Sequence, residues 1–373
     1  MSSTKLKTAN IVSLDATKLT GSALPAISGA NLTGVSPFTV SASDPAITTN
    51  PSGGVGTLFV NSTSGQVHCC TNATTGANVW LNIGQGDGNI KPPRTIAGFA
   101  AGGYVGSNSN IINKFAFGSN ANATDHGDLT AGKQLAESGT SSTTHGYSHG
   151  GATPPAINNI DKFAFASNVT ATSHGVLSRT AVAAAGAYSS THGFCMSNDG
   201  GSTAIDKYAF SSNTTAAGHG VLTASDFAYA AGHSSSTHGF ISGGGSSANH
   251  INKYAFASNT TADDHGDLET GVSQVGGTMS TTDGYSSGGT SPQINKIQKF
   301  AFSSNVTAAD HGNLTRSIRL CTGQSSTTHG YNTGGGEPAR ENVIEKFTFG
   351  SSSNATDHGD LTVAISYSSG HEQ

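Results

Sequence analysis

Charge, long side chains and cysteine are all scarce in this sequence, and it has no long apolar run. Charged residues make up 10% of the 373-residue chain, with three Met, one Trp and four Cys. No stretch approaches the roughly 20 apolar residues of a spanning helix, so no membrane insertion is expected. Net charge is −5 with 17 basic residues and no basic run, which excludes binding of nucleic acid by phosphate neutralisation. The opening "MSSTKLKTANIVSLDATKL" lacks the apolar core of a secretory signal, so cytoplasmic synthesis without a signal peptide is expected. Cys69 and Cys70 are neighbours that strand alternation sends to opposite faces, and Cys195 and Cys321 lie far off. Neither a disulfide framework nor a zinc site at His68-Cys69-Cys70 is expected. No nucleophile elbow, P-loop or zincin helix occurs. The expectation is a non-enzyme with no cofactor and no metal.

What the sequence has is glycine, 50 residues of it, together with Ser, Thr, Ala and Asn. These favour short strands and tight turns over helices. A phrase of the form Lys-[Phe/Tyr]-[Ala/Thr]-Phe recurs at Lys114, Lys162, Lys207, Lys253, Lys299 and Lys346, at intervals of 48, 45, 46, 46 and 47. Its last Phe precedes a His-Gly by nine residues in all six copies, at His126, His174, His219, His265, His311 and His358. Upstream stands Gly-aromatic-x-x-Gly-Gly, as in "GYSHGG" at 146–151, with one departure, "GFCMSN" at 193–198. Each period holds four strand candidates, here called a to d. Alternation puts Tyr208 and Phe210 on one face of strand c, where they and the strand-b aromatic would form the core between neighbouring sheets. Repeats of this length, unable to bury both faces alone, fit a radial stack. The first copy lacks a strand a and the last lacks a strand b. Residues 362–370 would therefore complete the sheet that 95–103 opens, giving an all-β, six-bladed propeller over 95–373.

The Gly-aromatic-x-x-Gly-Gly strand and the compact turn resemble a divergent kelch repeat. "IDKFAFASNVTATSHGVL" with "SSTTHGY" is similar to repeats in structural proteins of tailed bacteriophages, notably marine and cyanobacterial ones. The resemblance covers 95–373. The kelch tryptophan is missing, since the one Trp is Trp80, so kelch partner rules do not carry over. The resemblance implies a virion protein, a tail-fibre or appendage component whose propeller displays loops to a host-surface glycan or receptor. The alternative is a purely structural capsid decoration, neck or baseplate protein.

Residues 1–92 hold no repeat. "ATKLTGSALPAISGANLTGV" reads as extended chain over 1–50, similar to the N-terminal shafts of phage tail fibres, and 51–84 as a small β-hairpin module. "GQGDGNIKPPR" reads as a linker over 85–94, stiffened by Pro92 and Pro93. A module this small has a meagre core, so residues 1–92 are expected to pack against other virion proteins or their own copies in a homotrimer.

The His-Gly histidines are read as structural: Gly supplies positive φ, and His anchors a turn. A second set, His145, His192, His238 and His329 in "THG", with Asp283 in the fifth copy, is expected on the same face, beside Asp125, Asp264, Asp310 and Asp357. The opposite face carries the b–c and d–a loops, whose sequences diverge. Loops on a rigid support are where recognition concentrates. The candidate contacts there are His149, Asn158, Asn159, Asp199, His250, Gln293, Glu337, Arg340 and Glu341.

Overall fold

The computed structural model describes residues 38–63, 65–84, 96–135, 139–196, 200–290, 293–336 and 339–373. Every regular element among them is a β-strand. The chain divides into two compact units, Met1–Gly88 and Asn89–Gln373; the expected linker lies outside the described residues.

The first unit is one four-stranded sheet, in the order Phe38–Ser41, Leu58–Asn61, Val67–Asn72, Val79–Gly84. The first two strands pair in parallel and the rest are antiparallel. Phe38–Ser41, assigned to an extended segment by its sequence, thus belongs to the same sheet as 58–84. The chain between Ser41 and Leu58 is long enough for the crossover that a parallel pair needs. On one face Phe59 meets Trp80 edge-on at 5.6 Å, with Cys70 fully buried and His68 nearly so. All four cysteines are free thiols.

The second unit contains six four-stranded antiparallel sheets, each in the order a-b-c-d. The third shows the pattern: Ala185–Tyr188, His192–Met196, Ala204–Ala209 and Ala217–Val221. The first sheet takes strand b from Ala97–Tyr104 and strand a from the C-terminus. Ser369–Glu372 pairs antiparallel with it, Ser369 opposite Ala101 and Glu372 opposite Gly98. This strand starts later than residue 362 because Thr362–Ile365 are drawn into the d–a connection. Thr362 binds the Asn113 amide oxygen, and Ile365 N–H donates to Glu341 C=O. Strands a of successive sheets (Gly139–Ser141, Ala185–Tyr188, Ala231–Ser234, Gly276–Met279, Thr322–Ser325) lie side by side, and Ser369–Glu372 lies against both the last and the first of these.

The repeated phrases have a packing cause. The Gly that opens strand b sits under the first strand-c aromatic. A Cβ on Gly146 would lie 2.3 Å from the Phe163 ring, and one on Gly284 would lie 2.4 Å from Phe300. The strand-b aromatic stacks on the second strand-c aromatic of the following sheet. The pairs are Phe99–Phe165, Tyr147–Phe210, Phe194–Phe256, Phe240–Phe302, Tyr285–Phe349 and, from sixth sheet to first, Tyr331–Phe117, with centroids 4.5–4.8 Å apart. Offset stacks of this kind add about 0.5–1.5 kcal/mol each beyond area burial. On strand b the residues flanking the ring are buried too, so that strand reads as a buried run rather than a clean alternation, whereas on strand c the residues flanking the ring are half-buried.

The innermost strands contribute a ring of glycines. A Cβ on Gly186 would lie 2.4 Å from Gly139 O, and on Gly232 2.0 Å from Gly186 O. The same contact runs from Gly277 to Gly232, Gly323 to Gly277, Gly370 to Gly323 and Gly139 back to Gly370. Any side chain here would push two backbones apart. Just before these strands, Leu135, Ala183, Tyr229, Gln274, Leu320 and Tyr367 adopt φ of 52–61°. From Ala183 onward each of their N–H groups donates to the preceding member's C=O.

Candidate binding face and the inter-sheet ties

The His-Gly histidines are not turn residues. Each lies inside strand d, and its Nε2 bonds a strand-c carbonyl of the next sheet: His126 to Ala164, His174 to Ala209, His219 to Ala255, His265 to Ala301, His311 to Thr348, and His358 to Ala116, at 2.8–2.9 Å. Each ring also packs against its own sheet's strand-b aromatic at 4.9–5.1 Å. The turn expectation is corrected to a strut between sheets. The following Gly does take positive φ, from 95° to 140°, but at a break in the c–d register rather than in a loop. The strand bulges there and swings the imidazole sideways.

The "THG" histidines are half-buried, with Nδ1 2.8 Å from the preceding Thr hydroxyl. Burial, then the strand-c lysine, then the His-Gly imidazole of the same sheet hold His145, His192 and His329 below the usual pKa. Both histidine sets therefore sit together beside the lysines. In the fifth sheet Asp283 instead accepts from Lys299 at 3.4 Å. Among the described residues no group of three or more His, Cys, Asp or Glu is placed to hold a metal ion.

A second set of ties starts just after strand d. Thr130, Ser178, Thr223, Thr270, Thr315 and Thr362 bond the side chain two residues before the strand-c aromatic of the next sheet: Asp161, Asp206, Asn252, Gln298, Glu345 and Asn113. Among the described residues only the first connection adds a fully buried cation; in the fifth, the partly exposed Arg316 lies 3.5 Å from Glu345. Lys133 Nζ lies 3.0 Å from Asp161, both side chains 1% exposed, and donates to Ser148 C=O. On strand a, His233 and His371, both fully buried, bond Thr278 and Thr140 carbonyls of the following sheets at 3.0 Å. Burial lowers both pKa values to about 4. The same strand-a glycines, with Tyr188, Met279, Thr322, Ser325 and Glu372, border a small cavity of about 50 Å³. The Tyr188 hydroxyl donates to the Glu372 carboxylate beside it.

The loop-face candidates divide. His149 is 1% exposed on strand b, and burial and Lys133 hold its pKa well down. It is corrected from a surface contact to an interior residue, because the Gly-Gly that ends strand b comes after it. Asn158 Nδ2 donates to Leu177 C=O at 3.2 Å and Gln293 Nε2 to Ser317 C=O at 2.9 Å, so both brace loops. Asn159 is half-buried at the start of strand c, and Glu341 is half-buried with its N–H donating to Gly335 C=O. Asp199 and Glu337 lie outside the described residues. Two candidates face solvent. Arg340 lies over the Tyr104 ring at 5.2 Å, bringing the sixth and first sheets together. His250 stands between Asp226 and Asp267, 3.7 Å from each, all well exposed.

Sequence reasoning missed Tyr104 and Asp226. Tyr104 directly follows "GFAAGG" and was open to notice; Asp226 comes from another loop and carries no local signal, while Asp267 ends strand d in the phrase "DHGD". A guanidinium on an aromatic face and a carboxylate–imidazole–carboxylate row offer stacking and hydrogen-bonding groups to a polar ligand. Compared with known proteins, the chain matches no family model and no curated protein sequence.

Proposed function

We propose that residues 95–373 form a six-bladed, kelch-like β-propeller, in a fibre or appendage component of a tailed-phage virion that binds a host-surface glycan or protein through its b–c and d–a loops. The closed form is supported by three sets of contacts that each return from the last sheet to the first: Tyr331 on Phe117, His358 on Ala116 and Gly370 on Gly323. Sheets that tie back in this way leave no open end to the array.

The binding reading is carried by the contrast between the two faces. On one, the recurring Lys, His and Thr side chains serve contacts within and between sheets. On the other, loops of unlike sequence bear Arg340 over Tyr104 and His250 between two carboxylates. The test is binding of labelled full-length chain to bacterial cells and to a glycan array, with Arg340→Ala, Tyr104→Ala and His250→Ala beside the parent. At least a tenfold loss in one of the three is expected. Binding unchanged in all three, or no binding to any cell or glycan, overturns the reading. Locating the chain by electron cryomicroscopy with its loop face buried against another virion protein would favour the structural alternative.

A further inference from the structure

Gly139, Gly186, Gly232, Gly277, Gly323 and Gly370, one from the first strand of each of the six sheets, border a single cavity of about 50 Å³. Two residues further along these strands stand Ser141, Tyr188, Ser234, Met279, Ser325 and Glu372. Backbone hydrogen bonds at this level run between sheets. Glu372 N–H donates to Ser141 Oγ at 3.1 Å, and Tyr188 and Met279 N–H donate to Ser234 and Ser325 Oγ at 2.8 Å. Those N–H groups are therefore outside the ladder to strand b. Ladder bonds fall on alternate residues of an antiparallel strand, and the register has no break between these residues and the glycines before them. The carbonyls of Gly186, Gly277 and Gly370 thus also lie outside the ladder, on the side that the cavity occupies.

The border of the cavity carries one charge. Glu372 is 5% exposed, and the Tyr188 hydroxyl donates to its carboxylate. Thr322 and Ser325 add hydroxyls, and no Lys, Arg or His lines the cavity among the described residues. Oxygen donors with a single negative charge favour a hard cation and disfavour an anion. A carboxylate withdrawn from water is normally paired or bound to a metal. A water-sized sphere needs about 10–15 Å³ of such space, so the volume admits an ion together with water. Mg²⁺ demands a near-ideal octahedron and dehydrates reluctantly, whereas Ca²⁺ accepts carboxylate, carbonyl and water oxygens in flexible geometry.

We propose that this cavity is a calcium site, with Glu372 as its charged ligand and neutral oxygens of the first strands and of water completing the shell. A single carboxylate makes the affinity low, with Kd on the order of 10⁻⁴–10⁻³ M. Because the six strands meet only in the folded unit, an ion bound there stabilises it by mass action. The inference rests on that meeting of first strands and is independent of the virion and loop-face readings.

The experiment uses the full chain, stripped of metal by a chelator. Tb³⁺, a luminescent stand-in for Ca²⁺ that a nearby phenol excites, should light up on binding through Tyr188. Millimolar Ca²⁺ should displace it, and Mg²⁺ at least tenfold less effectively. About 10 mM Ca²⁺ should raise Tm by roughly 2–4 °C. Glu372→Gln should weaken binding at least tenfold and abolish the Tm shift. Tyr188→Phe should lose most of the luminescence while Ca²⁺ still raises its Tm. Asp263→Asn/Asp264→Asn, which alters an exposed acidic pair on a fourth strand, should change nothing. The absence of a Tb³⁺ signal, or of a rise in Tm with Ca²⁺, overturns the proposal. So does displacement by Mg²⁺ as readily as by Ca²⁺, and so does binding that survives Glu372→Gln or is lost with the Asp263 and Asp264 carboxylates. Should Glu372→Gln fail to fold, Tyr188→Phe decides, since undiminished luminescence there places the ion elsewhere.

Discussion

Gly139→Ala tests whether the array of sheets closes on itself. A Cβ there would lie 2.2 Å from Gly370 O, 3.1 Å from Gly370 C and 2.8 Å from the His371 ring. A comfortable carbon–oxygen contact is about 3.3 Å or more, so the two strands must separate by roughly 1 Å. Both are paired backbones, and neither can swing away as a flexible side chain could. Overpacking of this kind costs about 1–3 kcal/mol, here toward the upper end. Alanine's smaller unfolded-state entropy offsets up to about 1 kcal/mol, leaving about 2 kcal/mol. For a chain of this size that lowers Tm by roughly 3 °C. Two companions calibrate the result. Gly323→Ala makes the same contact inside the array, 1.9 Å from Gly277 O, and should cost as much. Gly218→Ala, with nothing within 4 Å, should be neutral or slightly stabilising. Denaturation followed by circular dichroism reads all three. If Gly139→Ala behaves like Gly218→Ala while Gly323→Ala is destabilised, the first and last strands do not meet and the closed arrangement is wrong.

Lys133→Met leaves Asp161 buried beside an apolar chain and should cost about 3–5 kcal/mol. Adding Asp161→Asn should restore stability to the parent level or above, since Ala181, Val272, Ile318 and Ile365 fill the Lys133 position and Asn113 and Asn252 the Asp161 position elsewhere. A double variant no better than the single, by urea denaturation, refutes this. Stability should also fall on acidification. The folded pKa of His126, His174, His219, His265 and His358 is lowered, chiefly by burial, and that of His233 and His371 falls to about 4. The unfolded chain therefore takes up protons first, so the contribution is whole above about pH 6.5 and is lost as pH falls toward 4. The two innermost histidines alone account for roughly 3 kcal/mol each at pH 4. A urea midpoint that stays level from pH 7 to pH 4.5 contradicts it.

The local chemistry was legible in the sequence because each repeat must solve the same packing problem. The spacing of Lys114 to Lys346 marked strand c, and the Gly-aromatic pairs marked strand b. The gap of nine to each histidine marked an element that admits no insertion. The missing strand a of the first copy pointed to the C-terminus, where Ser369–Glu372 indeed pairs beside Gly98.

What no repeat shows by itself is what it touches in the next one. His126 resembles a turn residue until Ala164 is placed 2.8 Å from its Nε2. His149 looks like a loop contact until its strand is buried on both faces. The strand-a glycines that precede a strand b recur seven residues before the Gly that opens it, but their reason does not show in the sequence, since the constraint is a carbonyl on a neighbouring sheet, for Gly139 one near the C-terminus. Sequence alone determined the strands, their period and the aromatic pattern, all set by local alternation and steric fit. Tertiary structure decided the struts, the glycine ring and the membership of the loop face, because those depend on atoms that only the packing of one sheet against the next brings together.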